Sequence, residues 1–89
     1  MKKEIFDFNT IVDTTHFYRQ FAERFTLGTN VVRDFDSLWD AIVRNNVSLP
    51  LEIEFINLGA GQRRRYGALI LLLDEVEEEL EGQLHFNVR

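Results

Sequence analysis

Three short segments of alternating apolar and polar residues, separated from one another by helical patterns, constrain the fold of this chain most strongly. The clearest is Leu51–Phe55, in which three apolar side chains alternate with Glu52 and Glu54 directly after Pro50. A period of two predicts a half-buried strand. We expect both glutamates to face solvent or a sheet edge, because burying two unpaired carboxylates is too costly. Similar alternation predicts strands at residues 4–8 and 84–88.

Helical periodicity fills the stretches between these strands. Phe17, Phe21 and Phe25 recur every four residues and form one apolar stripe on a first helix, which we expect to end at Gly28. Further helices are predicted over residues 34–44 and 68–81, with a helical turn at residues 62–66 and a flexible connection at residues 59–61. Gly82 is placed to follow the last helix as its left-handed C′ residue.

The resulting order is strand, helix, helix, strand, short helix, helix, strand. Strands that are separated by helices pair in parallel. Every strand alternates, whereas a parallel sheet covered on both faces has nearly continuous apolar strands. We therefore predict a two-layer α/β domain, with a three-stranded parallel sheet and helices packed on one face. A length of 89 residues is typical of a single domain, here residues 1–89.

The distribution of charge indicates which partners suit this chain. Its net charge is −5, and the segment Ala68–Arg89 holds six acidic side chains against one arginine. An acidic surface disfavours direct nucleic-acid binding and favours a basic protein partner. The chain has no cysteine, and its longest apolar run, Ala68–Leu73, is far shorter than a membrane span. We expect a cytoplasmic protein, monomeric when free, with no membrane contact.

Catalytic and cofactor motifs have little support. His16 and His85 are the only histidines, and neither has the helical partner that a zinc site requires. Gly59 and Gly61 follow a strand, but Arg64 stands where a dinucleotide-binding motif requires its third glycine. The sequence therefore predicts a protein that is not an enzyme and that holds no cofactor or metal.

Arg63–Arg65 is the one basic cluster, and it has more than one interpretation. The arginines can neutralise the acidic last helix or the glutamates of the second strand. Alternatively, they can bind phosphate or stack on bases, or hold the carboxylates of a second copy in a homodimer.

The segment Asp34–Asp40 is unusual for an ordinary helix. Asp36 and Asp40 are four residues apart, so they project from one face of the second helix, one turn apart. Asp36 is favoured near the helix N-terminus, whereas Asp40 lies in the interior, where aspartate is a poor helix former. Trp39 is either a core residue or an exposed aromatic anchor for a partner. The helix is thus either a capped amphipathic helix or a partner-binding one.

The residues Asp36–Asp40, with the sequence D-S-L-W-D, resemble the D-A-L-W-D segment of the barstar family of intracellular ribonuclease inhibitors. Pro50–Phe55 resembles the family's proline-led second strand, and the order of elements agrees. Asp74-Glu75 and Gly82 also fall where the family has an acidic residue and a glycine. The chain is similar in character to barstar-like proteins of Gram-negative bacteria. The resemblance implies the α/β fold predicted above and a cis Leu49–Pro50 peptide.

The resemblance also implies roles for individual residues. Asp40 corresponds to the aspartate that enters the ribonuclease active site in place of a substrate phosphate, and Asp36 to the one that pairs with basic groups of the enzyme. Glu75 corresponds to a glutamate at the interface rim, and Trp39 to a tryptophan that mainly packs. Together with Asp34, these residues form the expected partner-binding set.

The function implied is inhibition of a basic ribonuclease or other nuclease, by occlusion of its active site. The alternative is a non-inhibitory interaction module with the same fold and a different partner, bound through the acidic last helix or through Arg63–Arg65. One departure from the family concerns the target. Residues 30–33 replace the family's aromatic and glycine contacts, and Arg33 has the wrong sign for a basic enzyme.

Overall fold

The computed structural model describes residues 2–28, 30–44 and 47–89, with strands and helices in the predicted order. The elements are β1 (Lys2–Asp7), α1 (Thr14–Arg24), α2 (Phe35–Val43), β2 (Leu51–Ile56), α3 (Ala60–Arg65), α4 (Gly67–Glu79) and β3 (Leu84–Val88). None of the helices in these described ranges is long and apolar enough to cross a membrane.

The strands form a three-stranded parallel sheet in the order β1-β2-β3, which confirms the predicted sheet. The register places Ile53 of β2 level with Glu4 on one side and Phe86 on the other. The inward residues of β2 are fully buried, whereas Lys3 and His85 on the opposite face are exposed. The helices therefore cover one face only. The Leu49–Pro50 peptide before β2 is cis, as the resemblance implies.

Phenylalanine rings fill the space between the sheet and α1. The ring of Phe55 lies 4.7 Å from that of Phe8, 4.9 Å from that of Phe86 and 5.4 Å from that of Phe17, measured between centroids. Phe21 extends the α1 stripe and is also fully buried. Aromatic rings bury large apolar areas, and their tilted and edge-to-face contacts add to this. This cluster fixes α1 against the sheet.

Glu54 corrects one sequence-based expectation, because its side chain is buried although it lies on the uncovered face of the sheet. Only 4% of the residue is exposed. Its Oε2 lies 3.0 Å from Lys3 Nζ on β1, and its Oε1 lies 3.4 Å from Arg89 Nε. Glu52 is also paired with Lys3, at 3.7 Å, and is partly exposed. Burial is too costly for an unpaired carboxylate, but Glu54 has two cationic partners.

The first helix ends earlier than predicted, at Arg24 rather than at Gly28. Thr26 adopts a left-handed conformation with φ of 55°. Its N–H donates to the Glu23 carbonyl, and the Leu27 N–H donates to the Ala22 carbonyl at 2.8 Å. These bonds form a Schellman motif with a non-glycine residue in the position that glycine usually takes.

Two further helix boundaries also differ from prediction. The connection expected at residues 59–61 is ordered, because Gly59 is the N-cap of α3 and donates its N–H to the side chain of Gln62 at 3.1 Å. The last helix ends at Glu79, and Glu81 takes the left-handed C′ position with φ of 46°. Gly82, predicted for that position, follows it with φ of 94°.

Candidate protein-binding site

The N-terminus of α2 is held by a reciprocal cap between Asp34 and Ser37. Asp34 Oδ1 accepts the Ser37 N–H at 2.8 Å, and Ser37 Oγ accepts the Asp34 N–H at 3.0 Å. The Ser37 hydroxyl also lies 2.7 Å from Asp34 Oδ1, to which it donates. These bonds from Ser37 hold the pKa of Asp34 below its ordinary value. Asp34 therefore orients the helix, whose first turn follows directly.

Asp36 and Asp40 both project into solvent from α2, on the side away from the residues that anchor the helix. The anchoring residues, Leu38, Ala41 and Ile42, are buried in the core. The two carboxylates lie together in a shallow recess of about 320 Å³. Its lining consists of Val31, Arg33, Asp34, Asp36, Ser37, Asp40 and Ala41. The structure thus brings three of the five predicted site residues into one concave surface.

Arg44 is the cationic neighbour of Asp40 within the helix. Arg44 Nε lies 3.4 Å from Asp40 Oδ1, and the side chains are 77% and 57% exposed. Exposed ion pairs at this spacing contribute little, about 0.3–0.5 kcal/mol. Arg44 therefore does not prevent Asp40 from exchanging its partner for a better placed cation.

Trp39 lies on the flank of α2 and is half-buried, with its side chain packed against the core. This position agrees with the packing role that the resemblance implies. Because Leu38 and Trp39 both contact the core, α2 has little freedom to rotate about its axis. The directions in which Asp36 and Asp40 point are therefore set by the fold.

Glu75 lies outside the recess, on the exposed side of α4, which packs against α2. Its neighbours on α4 are also acidic. The pKa of Asp74 is raised, first by its partial burial and then by the charges of Glu77 and Glu78. Glu75 therefore belongs to a second acidic surface, on α4 and outside the recess, and its place at an interface rim stays a prediction.

Arg63–Arg65 lie on α3, and the structure does not support their predicted role as counter-ions. Among the residues that the structure describes, no ion pair joins them to an acidic side chain. Arg63 Nε donates to the Leu58 carbonyl at 3.3 Å, and Arg65 Nη2 donates to the Val12 carbonyl at 2.9 Å. The glutamates of β2 are paired with Lys3 and Arg89 instead. All three arginines lie in the last turn of α3, where the helix dipole favours cations.

A comparison with known protein families identifies the family of this chain. The family model described as Barstar (barnase inhibitor) matches residues 1–88. The chain belongs to the barstar family. The barstar family consists of inhibitors of a ribonuclease, so protein–protein inhibition is the general kind of function that membership supports, and a ribonuclease is the kind of partner. Within the described ranges, no three His, Cys, Asp or Glu side chains group together as a candidate metal site.

Sequence reasoning did not identify Arg33 as part of the recess that contains the barstar-like aspartates. The Arg33 N–H donates to Ser37 Oγ at 2.9 Å, and its Nη1 donates to the Asn30 carbonyl at 3.1 Å. The available signal was the resemblance, in which residues 30–33 replace contacts that the family makes with the enzyme. The place of Arg33 in the recess depends on the path of the chain into α2, which local spacing does not reveal.

Replacing Asp34 with alanine is expected to lower the melting temperature by about 5 °C at neutral pH, because the α2 cap is lost. The cap stabilises the ionised carboxylate, so its contribution is present above the ordinary pKa of 3.8 and is lost as pH falls through the lower folded-state value. The difference between wild type and variant should therefore shrink below about pH 4. Asp34→Asn, which keeps a capping side chain, is the matched control for thermal unfolding followed by circular dichroism. An equal loss in both variants would contradict the capping role.

Proposed function

We propose that this barstar-family chain inhibits a basic ribonuclease, by placing Asp36 and Asp40 of α2 in the active-site cleft of the enzyme. The observation that supports this most strongly is the pair of exposed carboxylates one helical turn apart, in a recess on a capped and core-anchored helix. Membership of a family of barnase inhibitors supplies the kind of partner.

The chemistry of a ribonuclease explains why two carboxylates suit this role. Such an enzyme gathers arginine, lysine and histidine side chains around the scissile phosphate, so its empty cleft is strongly cationic. Carboxylate oxygens accept charge-assisted hydrogen bonds from these groups in place of phosphate oxygens. An arginine can donate two such bonds to one carboxylate. Asp40, in the interior of the helix, takes the phosphate position, and Asp36 pairs with basic groups beside it.

The remaining predicted site residues support this contact. Trp39 packs from the flank of α2 against the core and helps to fix the directions of the carboxylates, while Asp34 caps the helix. Glu75 adds negative charge at the edge of the interface, from α4. The net charge of −5 also accelerates encounter with a cationic enzyme, an effect that salt weakens. We propose that the chain acts as a monomeric, non-catalytic cytoplasmic protein, where the absence of cysteine suits a reducing environment.

A titration of enzyme activity tests this proposal. Purified chain is added to a fixed concentration of barnase, the enzyme named by the family description, and RNA cleavage is followed at low and moderate salt. The expected result is loss of activity that is complete near one chain per enzyme and less steep at higher salt. Full cleavage activity at a large excess of the chain, at both salt concentrations, would contradict inhibition of this enzyme and favour the non-inhibitory interaction module.

A further inference from the structure

A second recess lies beside the acidic one, between α1 and the segment that leads into α2. Its volume is about 440 Å³. Tyr18 and Val32 form a buried apolar part of its wall, and Arg19, Glu23 and Arg33 are exposed around it. Arg33 lines both recesses, so it marks the boundary between an anionic surface and a surface where arginine is in excess over glutamate.

Hydrogen bonds hold both the backbone and the guanidinium of Arg33. Its backbone N–H donates to Ser37 Oγ, inside the α2 cap, and its guanidinium donates to the Asn30 carbonyl. A guanidinium has five N–H donors, so most of them remain available for a partner. An arginine whose geometry is set in advance loses little conformational entropy when it binds a carboxylate.

The carboxylates beside Arg33 form no close ion pair with it in the described part of the chain, although its charge helps to lower the pKa of Asp34. Among the described residues, the ion pairs within 4.0 Å include none that involves Arg33, although Asp34, Asp36 and Asp40 line the same recess. When a cationic cleft docks on the aspartates, its rim therefore comes close to the exposed positive charge of Arg33. Like charges placed opposite one another disfavour a complex, whereas an opposite charge at that point favours it.

We propose that Arg33 selects the target nuclease, with Arg19 on the far side of the groove, by binding a carboxylate at the edge of the enzyme's cationic cleft. The partner is thus a nuclease whose active site is basic and whose rim carries an acidic side chain at the mouth of the groove between α1 and α2. Enzymes with an uninterrupted basic rim bind less well. This inference rests on the proposed function, since Asp36 and Asp40 must enter the cleft for Arg33 to meet its rim.

A charge-swap experiment tests the inference with barnase and a set of barnase variants as probes. In each enzyme variant, one lysine or arginine around the active-site cleft is replaced by glutamate. Dissociation constants are measured for the wild-type chain, for Arg33→Gln and for Arg64→Gln. The last variant is a matched control, because it removes the same charge from an exposed arginine that lines neither recess. Thermal unfolding of each chain shows whether the variants are folded.

Arg33→Gln is expected to bind unmodified barnase about tenfold more tightly than wild type, whereas Arg64→Gln changes affinity less than about threefold. At least one glutamate variant of the enzyme should bind the wild-type chain more tightly than unmodified barnase does, and Arg33→Gln should abolish that gain. Equal behaviour of the two arginine variants, with no enzyme variant preferred, would overturn the inference.

Asp40→Ala separates this failure from failure of the proposed function. If Asp40→Ala abolishes binding while Arg33→Gln leaves the dissociation constant unchanged, the aspartates still occupy the cleft. Only the proposed selection by Arg33 is then wrong. If neither the wild-type chain nor Arg33→Gln binds any of the enzymes, both the proposed function and the inference built on it are overturned for this class of ribonuclease.

Discussion

Asp40→Ala is expected to weaken the complex with a basic ribonuclease more than any other single substitution on α2. Removing one partner of a desolvated charge pair costs about 2–5 kcal/mol of binding free energy, a range that includes measurements on the barnase–barstar complex itself. The loss arises mainly because the cationic groups of the enzyme stay buried without their partner. The dissociation constant should rise by at least about thirtyfold, mostly through faster dissociation.

The dissociation constant of Asp40→Ala for barnase is measured by surface plasmon resonance or calorimetry, together with those of three further variants. Asp40→Asn keeps the size of the side chain and removes the charge, so it should lose nearly as much affinity as alanine. Asp36→Ala should lose less. Glu79→Gln removes one negative charge from the exposed end of α4, outside the recess, and controls for overall electrostatic steering. Equal losses for Asp40→Asn and Glu79→Gln would show that net charge, and not the position of Asp40, determines affinity.

Phe55→Ala is expected to have the largest effect on stability. Phe55 lies on the central strand, is fully buried and packs against four other phenylalanine rings. Truncating a buried phenylalanine to alanine costs about 3–5 kcal/mol, because apolar contact is lost and a cavity remains. Since domains of this size are stable by only about 5–15 kcal/mol, the variant should be close to unfolding at physiological temperature.

Urea unfolding measures the effect of Phe55→Ala, with Phe55→Leu as the matched control. Leucine keeps much of the apolar volume and should lose only about 1 kcal/mol. A loss below about 1 kcal/mol for alanine would mean that the aromatic cluster relaxes around the cavity and is not the centre of the core.

The architecture follows from the sequence where the physics is local. Alternation in Leu51–Phe55 predicts a half-buried strand, and the helices between strands require parallel pairing, as the structure shows. The ends of α1 and α4 were not predictable in this way, because Thr26 and Glu81 adopt the left-handed conformation that glycine usually takes. At Thr26 the local strain is offset by the Schellman hydrogen bonds to the Ala22 and Glu23 carbonyls, which residue type alone does not predict.

For the charged residues and the site, too, local features were predictable from the sequence and tertiary ones were not. The spacing of Asp36 and Asp40 was sufficient to place them on one face of α2. The burial of Glu54 was not predictable, because its partners Lys3 and Arg89 come from opposite ends of the chain. Likewise, Arg33 joins the recess through the conformation of the segment before α2, which tertiary packing determines.

Competition with a small ligand of the enzyme tests the central claim most directly. The dissociation constant of the chain for barnase is measured at increasing concentrations of a mononucleotide that occupies the enzyme's phosphate-binding site. If Asp40 takes the place of the substrate phosphate, the apparent dissociation constant should rise in proportion to the mononucleotide concentration once the site is filled. A dissociation constant that does not change with mononucleotide would show that the chain binds outside the active site, and would contradict inhibition by occlusion.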